Sequence, residues 1–267
     1  MNEIELSNWQ VAAAAAMVLI NAAVSLALGL RLEKTLLISA LRTIVQLMLI
    51  GAVLEWVFAV DRWYVVLALL SIMTIVAGYS ATQRNQRRYR GMIWDTMVSV
   101  WASAWLVAAV GILVVLRGHG AWHQPQYVIP LTGMILGNAM NGISLGMNSF
   151  SESLVTRRDE IEALLAMGAT RWEAALPYVQ LAVRTGMIPI INMMTVVGIV
   201  SLPGMMTGQL LSGSSPMNAV RYQIVIIFLI ASAVALGTVS VILLGFLRVF
   251  NTHHQFQADR LDSPHLP

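Results

Sequence analysis

The chain has 267 residues, of which 58% are hydrophobic and 11% are charged, and its formal net charge is +3. This composition excludes an ordinary soluble domain, in which about a quarter of the residues are charged. The lack of cysteine excludes disulfides, thiolate metal sites and a cysteine nucleophile. We therefore expect an all-α, polytopic integral membrane protein in which residues 1–267 form a single transmembrane domain.

Seven apolar stretches are long enough to cross a bilayer, for which a helix needs about 20 apolar residues. They lie near residues 9–30, 36–60, 63–81, 92–116, 128–150, 179–204 and 221–248. Proline and glycine interrupt the sixth stretch, because a missing N–H or a flexible backbone weakens a helix. The predicted helix breaks are Pro189, Pro203 and Gly204.

The distribution of lysine and arginine predicts the orientation of the spans, because basic residues are enriched in cytoplasmic loops. With the N-terminus outside, eleven basic residues fall on the cytoplasmic side and three fall outside. The eleven are Arg31, Lys34, Arg84, Arg87, Arg88, Arg90, Arg157, Arg158, Arg171, Arg248 and Arg260, and the three are Arg62, Arg117 and Arg221. We therefore expect an external N-terminus and a cytoplasmic C-terminus.

Two polar segments could bind other molecules but have simpler interpretations. The basic run QRNQRRYRG, residues 83–91, could contact nucleic acid, yet its place between two spans favours an anchor on anionic membrane lipid. In the C-terminal tail, residues 251–267, His253 and His254 could bind a metal. Adjacent histidines in an extended chain point to opposite sides, so we expect a disordered tail. The predicted partner here is membrane lipid and not nucleic acid.

The fifth span carries an unusual row of amide side chains. At roughly 100° per residue, Met134, Asn138, Asn141 and Asn148 fall on one helix face. Amides are costly against lipid, so this face either bonds neighbouring helices or lines a polar translocation path. In the second case, the path residues are Gln46, Met134, Asn138, Met140, Asn141, Asn148 and Asn192.

Two further features of the spans concern packing and soft ligands. Gly133, Gly137 and Ser144 form a small-residue face at which another helix could approach closely. Met205 and Met206 follow the predicted break, and thioethers are ligands for soft metals. Methionine also fills space in apolar helices, so this pair is either a metal site or packing.

A polar segment, residues 151–178, separates the fifth and sixth spans, and we name it the elbow. Its sequence predicts two helices joined by a sharp turn. Thr156 is placed to cap the first helix, and Gly168 supplies a left-handed stop at its end. Thr170, with Glu173 three residues later, forms a capping box for the second helix.

The first elbow helix has an apolar stripe, because Ile161, Leu164 and Leu165 stand at i, i+3 and i+4. Such a helix can lie on lipid headgroups. The alternative follows from EALLAMGATRWEAALPYV, residues 162–179, which resembles the cytoplasmic EAA loop that docks on the ATPase in ABC transporter permeases. The residues that would then contact the ATPase are Glu160, Ile161, Glu162, Leu164, Leu165, Gly168, Ala169 and Thr170.

Longer motifs make this resemblance more specific. PLTGMILGNAMN at residues 130–141, RTGMIPIIN at 184–192 and VSLPGMMTG at 200–208, together with the elbow, are similar to the FetB family of permeases. The resemblance covers nearly the whole chain. It implies an ABC permease of the bacterial inner membrane that exports iron, in a family with plant relatives linked to aluminium tolerance.

The resemblance further implies a permease homodimer with two copies of a FetA-type ATPase subunit. The sequence contains no GxxxxGK[ST] motif, so ATP and magnesium are expected on that partner. This chain is then a transport subunit with no enzymatic activity and no cofactor of its own. Two alternatives stay open: an ABC permease for a lipid or sugar-conjugate cargo, and an ion-coupled secondary transporter. The spans hold almost no carboxylates, which disfavours the second.

Overall fold

Helices form nearly all the regular structure in the computed structural model, which describes residues 7–115 and 124–261. The α-helices in these residues are α1 Asn8–Ala27, α2 Glu33–Val60, α3 Trp63–Gln83, α4 Met92–Val110, α5 Pro125–Thr156, α6 Arg158–Ala166, α7 Arg171–Val196, α8 Gly204–Leu211 and α9 Pro216–Val249. Seven of these described helices are long and apolar enough to cross a membrane. The all-α class is therefore confirmed, and each predicted span corresponds to a helix that could cross a membrane, although the sixth predicted range, 179–204, runs past the end of α7 at Val196.

The chain divides into two compact units, the first of which contains α1 and α2. These two helices pack as a hairpin. The turn between them uses left-handed backbone at Gly29 and Arg31, with φ of 63° and 58°. Ser25 stabilises the turn, because its hydroxyl donates to Glu33 Oε2 (3.2 Å) and accepts from the Leu32 N–H (3.0 Å).

The second unit, which contains α3 to α9, is organised around α5. This helix contacts α3, α4, α7 and α9, and its inner face is buried. Ile135, Ile143, Met147, Phe150 and Leu154 on that face are at most 1% exposed. In a membrane such burial stabilises the bundle through van der Waals packing, because lipid is as apolar as the side chains.

Glycines let α5, α7 and α9 approach closely at one crossing. An added Cβ on Gly142 would lie 2.6 Å from Val234 Cγ1 of α9, and one on Gly186 of α7 would lie 2.6 Å from the Gly142 carbonyl oxygen. A Cβ on Gly146 would lie 2.7 Å from Thr238 Cγ2. Gly142 and Gly146 therefore form the small-xxx-small pair through which α5 meets its neighbours.

Of the small-residue face predicted at Gly133, Gly137 and Ser144, only part packs closely, because Ser144 is buried whereas Gly137 faces open space. A Cβ on Gly137 would meet no atom within 4 Å, and one on Gly133 would meet the flexible end of Met73 at 3.2 Å. Because α5 contains two rows of small residues, its own sequence does not tell which row faces a neighbour.

The predicted break at Pro189 is wrong, because α7 continues through that residue. Proline removes one N–H and crowds the preceding turn, yet membrane helices tolerate it where neighbouring helices hold the chain. Here Gly186 and Ile190, on either side of the proline, are buried in the bundle. The helical path is interrupted after α7, and α8 begins at Gly204 with Pro203 as its N-cap.

The elbow comprises the end of α5, then α6, a turn and the start of α7. Gly168 in the turn has φ of +96°, which confirms the predicted left-handed stop. The capping box is also present, since the Glu173 N–H donates to Thr170 Oγ1 (3.3 Å) and the Thr170 N–H donates to Glu173 Oε2 (2.8 Å). The predicted Thr156 cap is wrong, because α5 runs to Thr156 and only Arg157 separates it from α6.

The prediction of a disordered tail is wrong for residues 251–261, which we name the C-terminal hook; residues 262–267 lie outside the described part of the chain. The hook folds back on the elbow. Its His254 Nδ1 accepts a hydrogen bond from the backbone N–H of Arg171, the first residue of α7 (3.0 Å). The histidine therefore serves a structural contact that its neighbourhood in sequence does not indicate.

A ladder of aromatic rings connects the elbow to the hook. The rings of Trp172, Phe246, Phe250 and Phe256 contact one another in this order, the first pair edge to face, with successive centroids 5.4, 5.2 and 5.2 Å apart. Arg171 adds a cation–π contact, with its Cζ 5.6 Å from the Phe246 ring centroid. The elbow and the hook thus form one continuous surface at one end of the second unit.

Candidate functional site

An open cavity of about 320 Å³ lies on the polar face of α5. The residues that line it are Arg84, Asn141, Ser144, Leu145, Asn148 and Pro189. Its volume is at the lower end of the range for small-molecule sites, about 300–1,000 Å³. Two asparagines from the predicted amide row therefore face a cavity, and the proline that leaves α7 unbroken forms part of its wall.

The loop after α3 runs along this polar face and engages it through hydrogen bonds. Arg84 Nη1 donates to Asn141 Oδ1 (2.6 Å), and the Gln86 N–H donates to Asn148 Oδ1 (3.1 Å). Each amide oxygen therefore already accepts a hydrogen bond from the protein. The two interpretations of the amide row overlap here, because the same side chains hold a loop and line a cavity.

A partly buried ion pair fastens the same loop one helical turn further along α5. Arg87 Nε lies 2.7 Å from Glu152 Oε2, and the Arg87 side chain is 18% exposed. Arg87 does not line the cavity, and the charged residue among those that do is Arg84. A guanidinium with two amides favours anionic or neutral polar groups over a bare cation.

Four other predicted path residues lie elsewhere in the second unit. Asn138 Nδ2 donates to the Met134 carbonyl of its own helix (2.8 Å). Met134 and Met140 pack against the core, and Asn192 is exposed on α7. Gln46 is exposed on α2 in the first unit. Of the six predicted path residues in the second unit, the structure thus brings two together around this cavity.

The apolar stripe of α6 packs on its own chain. Ile161 is 0% exposed and belongs to the core, and Leu164 and Leu165 are half-buried against it. The stripe therefore holds α6 against the bundle, where α6 contacts α5 and α7. The assignment of Ile161 to an ATPase contact is wrong, because its side chain is not accessible to a partner.

The outward side of the elbow is polar with an apolar tip. The predicted contact residues on this side are Glu160, Glu162, Gly168, Ala169 and Thr170. Met167, which the sequence did not single out, is 76% exposed beside the Gly168 turn. A cavity of about 500 Å³ lies where α5 ends and α7 begins, and Glu160 and Tyr178 are among its lining residues. An exposed apolar side chain on a fixed turn is a suitable anchor for a partner groove.

No group of three or more histidine, aspartate and glutamate side chains is placed to hold a metal within residues 7–115 and 124–261. Met205 and Met206 lie in the first turn of α8 and are half-buried. Met205 also packs against the core. A packing role for Met205 therefore has a structural basis, and a metal role for the pair stays a prediction.

Comparison with known proteins identifies full-length relatives. Residues 8–250 match the model of the uncharacterised protein family UPF0014. A UPF0014 membrane protein of Synechocystis sp. is 40% identical over 227 residues, which cover 85% of this chain and 87% of that protein. The probable iron export permease protein FetB of Escherichia coli is 30% identical over 261 residues, which cover 98% of this chain and 99% of that protein.

A plant relative extends the comparison. Protein ALUMINUM SENSITIVE 3 of Arabidopsis thaliana is 32% identical over 247 residues, which cover 92% of this chain and 88% of that protein. No solved structure matches the chain. These relatives confirm the resemblance to FetB-type permeases that the sequence motifs indicate. With a family model that matches nearly its whole length and relatives that align from end to end, this chain belongs to the UPF0014 family of membrane proteins.

Proposed function

We propose that this chain is the membrane-spanning subunit of an ATP-binding-cassette exporter driven by a separate FetA-type ATPase. Full-length similarity to a probable iron export permease supports a transport role. The main support for coupling to an ATPase is the rigidity of the elbow. Ile161 anchors α6 on the bundle, and Gly168 with the Thr170 capping box fixes the turn. A turn held this firmly can transmit a displacement of the ATPase to α5 and α7.

The proposed docking surface is the exposed side of α6 and its turn. Met167 is the anchor that enters a groove of the ATPase, because it is the exposed apolar side chain at the tip. Glu160 and Glu162 stand at the rim, where charges guide association more than they add affinity. Because Arg157 lies 3.8 Å from Glu160 and Arg158 lies 2.6 Å from Glu162, the rim has charges of both signs, and the groove should be apolar where Met167 enters.

The complex that we propose contains two permease chains and two ATPase subunits in the bacterial inner membrane. ATP and magnesium bind to the ATPase, and this chain supplies no cofactor site. The Arg171 to His254 hydrogen bond supports placing the elbow and the C-terminal hook on one side of the membrane. By the distribution of basic residues, that side is the cytoplasm and the N-terminus is external.

Iron is the proposed cargo, carried as an anionic or neutral complex. The cavity beside Arg84 repels a bare ferrous ion but can accept the oxygen atoms of a complexed one. Thioethers of Met205 and Met206 would add weak contacts, which suit release more than capture. A lipid or sugar conjugate is the second candidate, since Asn141 and Asn148 could also bond hydroxyl groups.

Removing the cavity amides tests this path. We expect Asn141→Leu combined with Asn148→Leu to lower transport by reconstituted complexes at least about tenfold, or roughly 1.4 kcal/mol. Leucine has a similar size but leaves Arg84 beside apolar groups. Asn138→Leu is the matched control, because its amide bonds its own helix, and it should stay within about twofold of wild type. If the double variant transports normally, the amides only hold the loop.

Co-purification with a FetA-type ATPase tests the docking surface. Met167→Glu should reduce the recovered ATPase at least about tenfold, because a carboxylate in an apolar groove is costly. His253→Glu, an exposed change outside the elbow, is the control and should keep wild-type recovery. If both variants recover equal amounts of the ATPase, and the elution volume of the permease is unchanged, the elbow is not the docking site.

A further inference from the structure

A cavity of about 930 Å³ lies where α4 begins and α9 ends. The residues around it include Tyr89, Arg90, Trp94, Arg248, Asp259 and Arg260. They come from the loop before α4, from the last turn of α9 and from the C-terminal hook. We name this the cationic cavity, and neither the elbow turn nor the proposed path uses it.

Buried contacts hold one wall of the cationic cavity in place. Asp95 is 4% exposed and accepts from Arg248 Nη2 (3.1 Å) and Nε (3.3 Å). The Tyr89 hydroxyl also donates to Asp95 (3.0 Å), and burial together with the Asp95 carboxylate raises the pKa of Tyr89, so that it remains a donor. Gly91 has φ of +100°, and a Cβ there would lie 3.4 Å from Arg248 Cζ. The positive φ therefore favours glycine at this turn, and the Arg248 guanidinium packs directly beside it.

The lining of the cationic cavity has more positive than negative charge. Three arginines line it, Arg90, Arg248 and Arg260, against the single carboxylate of Asp259. Arg260 is held in place because its Nη1 donates to the Arg248 carbonyl oxygen (2.8 Å). Arg248 pairs with Asp95, yet its side chain remains 50% exposed. Guanidinium groups bind phosphate oxygens through paired, charge-assisted hydrogen bonds. The cavity therefore fits a phosphate group.

An exposed apolar stripe, which we name the α4 stripe, runs along the helix from this cavity. Trp94, at the cavity itself, is 71% exposed, and Val98 and Trp101, on the same helix face, are 52% and 56% exposed. Trp105 continues the row, with its ring centroid 6.3 Å from that of Trp101. From Trp94 to Trp105 the helix rises about 16 Å, which is close to half of the roughly 30 Å hydrocarbon core. The stripe thus has the depth of one leaflet.

We propose that the cationic cavity and the α4 stripe together bind one anionic phospholipid. Its phosphate lies against the three guanidinium groups, and an acyl chain lies along the stripe. A soluble phosphate compound would leave the stripe unused, and general attraction to anionic lipid would require no cavity with fixed walls. One amphiphile accounts for both features. The inference does not depend on the proposed transport function.

Native mass spectrometry of the full-length protein in detergent tests the site with three added compounds: phosphatidylglycerol, phosphatidylcholine and glycerol 3-phosphate. We expect one phosphatidylglycerol per chain, bound at least about tenfold more tightly than phosphatidylcholine, as a difference in lipid charge of one unit would allow. Arg90→Gln with Arg260→Gln should abolish that preference. Arg31→Gln with Lys34→Gln removes the same charge from the turn after α1 and the start of α2, and it should preserve the preference.

A second variant tests the apolar part of the site. Trp94→Ala keeps all the arginines, and it should weaken phosphatidylglycerol binding about threefold or more without changing the elution volume. Equal losses in the two double variants would overturn the proposal in favour of general surface charge. Displacement of the lipid by glycerol 3-phosphate at equal concentration would overturn it in favour of a site for soluble phosphate compounds.

Discussion

Alanine at Gly186 is expected to lower the thermal unfolding midpoint of the solubilised protein by more than about 5 °C. The new methyl group would stand 2.6 Å from the Gly142 carbonyl oxygen and 2.6 Å from Thr238 Cγ2. A backbone oxygen cannot rotate aside as a flexible side chain can, so α7 must move away from α5 and α9. Overpacking of this kind costs about 1–3 kcal/mol, a large part of the stability of a folded domain.

Gly137→Ala is the matched control for this prediction. It adds the same methyl group to α5 at a position where no atom lies within 4 Å of the new Cβ. Its midpoint should equal that of wild type or rise slightly, because alanine favours a helix over glycine by up to about 1 kcal/mol. The measurement is size-exclusion recovery after heating. A wild-type midpoint for Gly186→Ala would contradict the close crossing of the three helices.

Valine at Gly168 is expected to abolish ATP-dependent transport while the spans stay folded. The glycine has φ of +96°, and a β-branched residue is strained in that conformation by about 1–2 kcal/mol or more. No atom lies within 4 Å of the added Cβ, so the effect comes from the backbone and not from a clash. The strain is relieved only if the turn opens, which displaces Met167 from the proposed docking position.

Gly168→Asn is the control for the turn, because asparagine tolerates left-handed backbone. It should retain most of the transport and most of the co-purified ATPase, whereas Gly168→Val should lose both at least about tenfold. Wild-type transport in the valine variant, measured in proteoliposomes at equal amounts of folded permease, would show that this turn does not couple the two subunits.

Features set by neighbouring residues could be predicted from the sequence. Length and hydropathy are enough for the seven candidate spans. The Gly168 stop and the Thr170–Glu173 capping box involve residues within a few positions of one another, so their spacing states the interaction directly. The same local signals misplace Thr156, because α5 continues into the polar segment instead of ending before it.

Features set by distant residues could not be predicted. Whether Pro189 breaks α7 depends on how firmly other helices hold the residues beside it. Whether Ile161 faces a partner or its own core depends on where α6 packs. The sequence pattern of an apolar stripe is the same in both cases. The hydrogen bond between Arg171 and His254 joins residues 83 positions apart, so the composition of the hook alone could not predict that it is folded.

The candidate site depends on both neighbouring and distant residues, so it could be predicted only in part. Helical periodicity placed Asn141 and Asn148 on one face, and the structure puts both at the cavity. Arg84, which bonds Asn141, stands 57 positions before it, in a basic run for which an anchor on lipid was a sufficient explanation. The polarity of the site was therefore predictable from α5 alone, and its charge was not.

The central claim is that ATP hydrolysis on a separate subunit drives export through this chain. Its most direct test is iron transport by proteoliposomes that contain the permease with or without the ATPase, with ferrous iron supplied bare and as its citrate complex. In the same proteoliposomes, ATPase stimulation by a lipid or sugar conjugate and not by iron would replace iron as the proposed cargo and leave the exporter assignment in place. We predict that complexed iron moves only when both subunits, ATP and magnesium are present. Iron movement through the permease alone, driven by an ion gradient, would contradict the account.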